Sequence, residues 1–376
     1  MKKIVTFLTL FVAFLAQINA QPCLPNGIIF SSQSEIDNFQ TSYPNCDIIE
    51  GDVGIEGPGI TNLDGLTNIT QINGYLKIIG CSDLVNLSGL SNLVSIGGYV
   101  YFDMNPLLIN FTGLNNLETI GGYLEIAENN QITNLIGFES LSSIGGYLEV
   151  NSNENLINLS GLDNLVSVNE DISILFNNSL SSLSGLENIS SDVTHIVLWG
   201  NHVLTDITSL HNINSISIAL TIRINDILSD LTGLENIKLD SMQYLTIKKN
   251  PLLSECEIQN ICNYLSINTG NIEISENATG CNNQDEVQLA CISSYRDYNS
   301  IPKPEVYPNP TKNYLSIQTN GNLIMQAVLY DKVGRKILEQ KNNLEKLNVS
   351  NVVSGIYILE LEANNYKFRK KIIIVN

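Results

Sequence analysis

Apolar residues recur through the middle of this chain at a fixed interval of 24 residues. One column reads Leu63, Leu87, Phe111, Leu135, Leu159, Leu183, Ile207 and Leu231; a second runs from Leu66 to Leu234 and a third from Ile69 to Ile237. A glycine precedes each residue of the second column, from Gly65 to Gly233, except where Ser209 replaces it. After each set comes a short alternating segment: Leu76/Ile78, Val100/Phe102, Leu124/Ile126, Leu148/Val150, Ile172/Ile174, Ile196/Leu198 and Leu220/Ile222. The last pair, Leu245/Ile247, follows a one-residue insertion. Period-two alternation predicts a strand with one buried face, and the long period predicts a solenoid whose units are single coils. Each coil offers about seven side chains for burial, worth roughly 1.5–3 kcal/mol apiece. Ordering its residues costs about 1–2 kcal/mol each in backbone entropy, so a coil holds only when stacked on its neighbours. The expected fold class is mainly β, a parallel β-solenoid followed by a small antiparallel β-sandwich.

Polar columns run beside the apolar ones. Cys81, Asn105, Asn129, Asn153, Asn177, Asn201, Asn225 and Asn250 follow the strand, where an inward Asn would satisfy backbone groups buried at a bend. Cys81 therefore reads as a buried column residue and not as a reactive thiol. A second Asn column, including Asn68, Asn92 and Asn116, suits a turn or a stacked amide ladder. Two columns point outward from the strand. The first reads Tyr75, Tyr99, Tyr123, Tyr147, Asp171, His195, Ala219, Tyr244, and the next Lys77, Tyr101, Glu125, Glu149, Ser173, Val197, Thr221, Thr246.

The run Ile120-Gly121-Gly122-Tyr123-Leu124-Glu125-Ile126, with related runs at 72–78 and 144–150, resembles the receptor L-domain pattern. Its lead-in of a Cys followed by Ile and Gly is present as Cys46 to Gly51. The resemblance spans roughly residues 45–265 and implies a right-handed parallel β-solenoid of leucine-rich-repeat character, a pattern that admits Asn or Cys in the inward polar column. No receptor role carries over, because the same fold hosts many ligands. Expected segments are an N-terminal cap at 21–50, the repeats at 51–254 and a cysteine-containing C-terminal cap at 255–295. Ser34 to Phe39 and Glu255 to Leu265 read as the capping helices. A Cys23–Cys46 bond would hold the first cap. Of the three pairings open to the other four cysteines, Cys256–Cys281 with Cys262–Cys291 is favoured.

Residues 1–20 read as a secretory signal peptide: Lys2 and Lys3, an apolar run from Ile4 to Leu15, and a small-residue site ending at Ala20. That run is too short to span a bilayer, and no other segment is apolar enough to do so. Residues 21–300 hold six Lys/Arg against 32 Asp/Glu, whereas residues 301–376 hold 11 against six. So acidic an array disfavours nucleic acid and anionic membrane as partners. The reversal of sign places a linker at 296–304 and a separate unit at 305–376. Val306-Tyr307-Pro308-Asn309-Pro310, the Asp331-x-x-Gly334 turn, Ser354-Gly355-Ile356-Tyr357 and the Lys370-Lys371-then-aliphatic ending resemble, in order, the type A C-terminal sorting domain of the type IX secretion system. The resemblance implies export, engagement of the type IX machinery through 305–376, and an extracellular or outer-membrane surface location.

No catalytic constellation stands out. His195, His202 and His211 match no short zinc motif and read as surface residues. Neither a cofactor nor a resident metal is expected. The candidate binding face comprises Tyr75, Tyr99, Tyr101, Tyr123 and Tyr147, with Glu125, Glu149 and Trp199, and reads as a flat aromatic strip for a protein or glycan. The expected function is that of a non-catalytic adhesin or recognition module. The alternative is a calcium-assisted polysaccharide-degrading solenoid enzyme using Asp103, Glu125, Glu149 and Asp171. A purely structural surface-layer component is a third possibility.

Overall fold

The computed structural model describes residues 21–267, 270–299, 304–318, 324–331, 335–341, 344–363 and 366–375. The expected signal peptide at 1–20 lies outside the described residues, as do 300–303 of the expected linker and 332–334 of the expected turn. The chain divides into two units, 1–288 and 289–376, and the helix Gln284–Asn299 runs across the division.

The first unit is a parallel β-solenoid built on two sheets. Its main sheet has eleven strands, from Ile28–Phe30 and Val53–Glu56 at one end to Tyr244–Lys248 and Asn271–Ser275 at the other. Register follows the repeat: Leu124 lies beside Leu148, Glu125 beside Glu149 and Ile126 beside Val150. The insertion is absorbed before Tyr244, which pairs with Ala219. Inward residues such as Leu124, Ile126, Leu148 and Val150 are fully buried, as are the Leu63, Leu66 and Ile69 columns.

The second sheet, of seven strands, has no counterpart in the sequence-based reading. Five of its strands are two residues long, such as Ser95–Ile96, Thr119–Ile120 and Ser143–Ile144. These three precede a Gly-Gly corner, while Asn73-Gly74 and Asn169-Glu170 follow the other two. Close backbone contact between coils enforces the glycines: a Cβ on Gly121 would sit 2.2 Å from the Gly97 carbonyl oxygen. In the coils where Val193-Thr194 and Ser217-Ile218 replace the glycine pair, the corner straightens. The strands there lengthen to Asp192–Trp199 and Ser215–Arg223, as suits residues of higher strand propensity. A similar crowding explains the Gly-Leu repeat, since a Cβ on Gly137 would lie 2.1 Å from the backbone of Phe111. Ser209 is tolerated in a coil whose turn is a 3-10 segment, Thr208–Leu210, and its hydroxyl bonds Glu187 at 2.9 Å.

After the repeat strands of the main sheet the chain turns through a left-handed residue, among them Met104, Glu128, Ser152 and Phe176 at φ 53–56°. The next residue is the buried ladder Asn. Asn153 donates to the carbonyls of Ile126 (2.9 Å) and Asn151 (3.1 Å) and accepts from the backbone N–H of Asn129 (3.0 Å). Cys81 stands at the N-terminal end of the ladder, fully buried and free. Burial pushes its thiol up to about 11, which keeps it protonated at neutral pH. The second Asn column does not form an amide ladder. Asn92, Asn116 and Asn164 instead donate to carbonyls of the preceding coil, those of Thr67 (2.8 Å), Ser91 (2.8 Å) and Glu139 (2.6 Å).

Both caps contribute rungs as well as covers. The N-terminal helix is split at Asn38 into Gln33–Asp37 and Phe39–Ser42, with Glu35 accepting from the N–H groups of Ser31 and Ser32. The second capping helix is Gln259–Ile267, after which Asn271–Ser275 extends the main sheet and Asn277 extends the Asn ladder. Disulfides join Cys23 to Cys46 and Cys256 to Cys281, each with Cα atoms 5.6 Å apart. Cys262 and Cys291 are also disulfide-bonded.

The second unit contains two antiparallel sheets, of three strands (Glu305–Tyr307, Tyr314–Gln318, Lys346–Asn348) and four (Ile324–Tyr330, Lys336–Gln340, Gly355–Ala363, Tyr366–Ile374). Leu315, Ile317, Leu329, Leu347, Leu359 and Ile372 form their common core. Asp331 accepts from the Arg335 backbone at 2.9 Å and pairs with its side chain at 2.7 Å across the expected turn.

Candidate functional site

The outward face of the main sheet carries three columns, because each strand shows alternate residues to solvent. Adjacent parallel strands lie about 4.8 Å apart, within the range of centroid separations that stacked rings adopt. The tyrosines of the first column adopt that arrangement. Ring centroids of Tyr75–Tyr99, Tyr99–Tyr123 and Tyr123–Tyr147 are 4.6, 4.5 and 4.4 Å apart, with planes within 14° of parallel. All four rings are half-buried. The expected flat aromatic strip is thus turned on edge: inner ring faces cover one another, and solvent meets ring edges and hydroxyls.

Glu125 and Glu149 neighbour each other in the second column, with Tyr101 on the strand before. The Tyr147 hydroxyl donates to Glu125 at 3.2 Å. Desolvation, followed by repulsion from Glu149, raises the Glu125 pKa, and the Tyr147 bond opposes the rise. Burial first, and neighbouring acids next, likewise raise the phenols of Tyr101 and Tyr147, so both stay protonated donors. Since the folded pKa of Glu125 is raised, its charge penalises folding above that value, and the penalty disappears as protons bind on acidification. Glu125→Gln should therefore be more stable than the parent at pH 7. That advantage should shrink as pH falls through the raised folded value and be gone below about 4.3, the ordinary glutamate value, in parallel thermal melts.

Of the four acids of the catalytic alternative, Asp103 and Glu149 lie near enough to Glu125 to raise its pKa, but the four are spread over three columns. Asp103 lies in the third column beside Ala127 and is buried, whereas Glu125 and Glu149 occupy the second. Asp171 belongs to the first column and is engaged by His195 Nδ1 at 2.7 Å and by the Thr194 hydroxyl. Among the described residues no three His, Cys, Asp or Glu side chains are grouped to hold a metal ion. The histidines are partnered separately: His202 Nδ1 meets Asp226 at 2.8 Å and His211 Nδ1 the Thr208 carbonyl at 2.9 Å.

Trp199 falls in the third column, away from the tyrosine ladder, between Leu175 and Arg223. Phe176 packs against it from the preceding coil, with ring centroids 5.3 Å apart and planes at 49°. The Arg223 guanidinium lies 4.9 Å over the indole from the following coil. Both sides of the indole are occupied, so the expectation of Trp199 as a free stacking surface changes. Phe176, Arg223 and Tyr244 were not singled out from the sequence. Column position alone could have raised Tyr244, but the Trp199–Arg223 contact appears only once the coils are in register.

The fold and site define an exported parallel solenoid that displays an ordered polar-aromatic face. Residues 45–109 match the receptor L domain, and residues 305–375 match the secretion system C-terminal sorting domain. The solenoid is therefore L-domain-like, and the tail directs export by the type IX system. Over an 83-residue stretch the chain is 31% identical to ulvan lyase NLR42 of Nonlabens ulvanivorans, which covers 21% of this chain and 16% of that enzyme. No helix among the described residues is long and apolar enough to cross a membrane.

Proposed function

We propose that the solenoid is a non-catalytic recognition module, released or held at the cell surface after export, which binds a protein or glycan through the outward face of its main sheet. The observation that carries this reading is the tyrosine ladder with its adjoining carboxylates. Strand hydrogen bonds fix the donor and acceptor positions, so little ordering cost remains on binding. The dispersal of Asp103, Glu125/Glu149 and Asp171 over three columns supports binding over chemistry. The polysaccharide-degrading alternative draws support from the ulvan lyase likeness, but the shared stretch is too short to bring an enzyme's activity with it.

A glycan and protein array probed with the full chain, with calcium and with chelator, tests the reading. Saturable binding that survives chelation is expected. Calcium-dependent disappearance of a bound glycan would replace this reading with the enzyme.

A further inference from the structure

Beyond the tyrosine ladder, the sheet face changes character over the last coils. In the first column His195, Ala219 and Tyr244 occupy successive strands. Ala219 is small and buried, and the Tyr244 ring beyond it is 46% exposed, with no ring stacked on it among the described residues. In the third column Arg223 follows Trp199. A Cβ on Gly200 would lie 2.5 Å from the Phe176 ring, so the glycine leaves that ring room to seat the indole.

Arg223 is one of only six cations among residues 21–300. The other cations on this face are neutralised: Lys77 pairs with Glu56 at 3.3 Å, and Lys248 with Glu273 at 2.5 Å. Arg223 has no carboxylate at ion-pair distance among the described residues. Its Nε and the Trp199 Nε1 are buried donors without a hydrogen-bond partner. Both donors face the protein interior, so a ligand would meet the outer part of the guanidinium. Arg223 is thus a planar fork steadied on an indole, near enough to Glu273 to lower its pKa but outside ion-pair distance of it, and open to the anion that such forks take two-handed.

We infer that Arg223 and Tyr244 form a binding site for an acidic oligosaccharide, with Arg223 taking a carboxylate or sulfate and Tyr244 stacking on a sugar ring. Trp199 is a positioning residue for Arg223. The two contacts lie four residues apart along the strand, or about 13 Å, a span that a short oligosaccharide bridges and a lone anion does not. Thr221 and Thr246, outward in the column between, supply hydroxyls along the floor. The acidic remainder of the array repels the same ligand, which confines it to this end of the sheet. The inference rests on the recognition reading and concerns a contact centre separate from the tyrosine ladder.

The test is calorimetric titration of the full chain with a galacturonate hexasaccharide and with its methyl-esterified, uncharged form. The charged form should bind and the ester should bind about tenfold more weakly, the loss of one charge-assisted pair. Arg223→Gln should weaken the charged form by a similar factor at an unchanged unfolding midpoint. Arg223→Lys should recover part of the loss, and Lys238→Ala should leave this ligand unaffected. Equal binding of the two sugars, no saturable binding, or indifference to Arg223→Gln would overturn the site while leaving the recognition reading intact. Polyglutamate binding as tightly as the hexasaccharide would overturn its assignment to a sugar. Cleavage of the hexasaccharide would overturn the recognition reading itself.

Discussion

Asn153→Ala is expected to destabilise the solenoid by on the order of 4 kcal/mol, far more than its size suggests. The side chain serves three backbone groups at once, the carbonyls of Ile126 and Asn151 and the N–H of Asn129. They line the bends of two successive coils, at the left-handed Glu128 and Ser152, and Asn153 is fully buried. Alanine would leave those groups without partners in a place that water does not reach. Because each ladder Asn also accepts from the coil before it, the damage should spread to both neighbouring coils. Asn92→Ala is the control. It removes one exposed bond, to the Thr67 carbonyl at 2.8 Å, and should cost about 1 kcal/mol or less. Urea midpoints of the two variants measure the contrast, and equal losses would remove the ladder from its proposed structural role.

The second large effect concerns binding. Tyr99→Ala/Tyr123→Ala takes out the two central rings of the ladder, each stacked on both sides. It removes two hydroxyls from the surface and also the packing that holds Tyr75 and Tyr147 in place. Affinity for a protein or glycan captured on the array should fall by about tenfold or more, the scale of one to two interface hot-spot contacts. Lys238→Ala, which breaks only a 3.2 Å bond to Asn214, should change it little. Aromatic pairs contribute about 0.5–1.5 kcal/mol each, so the double variant should also melt earlier, and affinity must be compared well below both midpoints. Losses of similar size in the tyrosine and lysine variants would remove the ladder from the binding surface.

How much of this was legible in the sequence depends on whether a feature is a matter of spacing or of orientation. The inward columns, the Asn ladder and the place of Cys81 follow from a constant period, since strand pairing converts sequence spacing of 24 into adjacency. The second sheet escaped notice because its two-residue strands are too short for alternation to register. Its glycine corners, moreover, carry no side chain to reveal a face. Alternation placed the tyrosines outward but left ring orientation open, and strand spacing then set the rings face to face. Trp199 and Arg223, 24 residues apart in sequence, became neighbours only through the third outward column, which the two-column reading had left out.

Carboxylate footprinting of the full chain with a water-soluble carbodiimide, with and without the ligand selected on the array, tests the central claim most directly. If recognition takes place on the outward face of the main sheet, Glu125 and Glu149 lose reactivity when ligand is bound. Glu118, before the second-sheet strand Thr119–Ile120, and Glu235, beside the Gly233 turn, keep theirs. Protection of Glu118 or Glu235 with Glu125 and Glu149 unchanged would place the binding surface elsewhere on the solenoid and contradict the account.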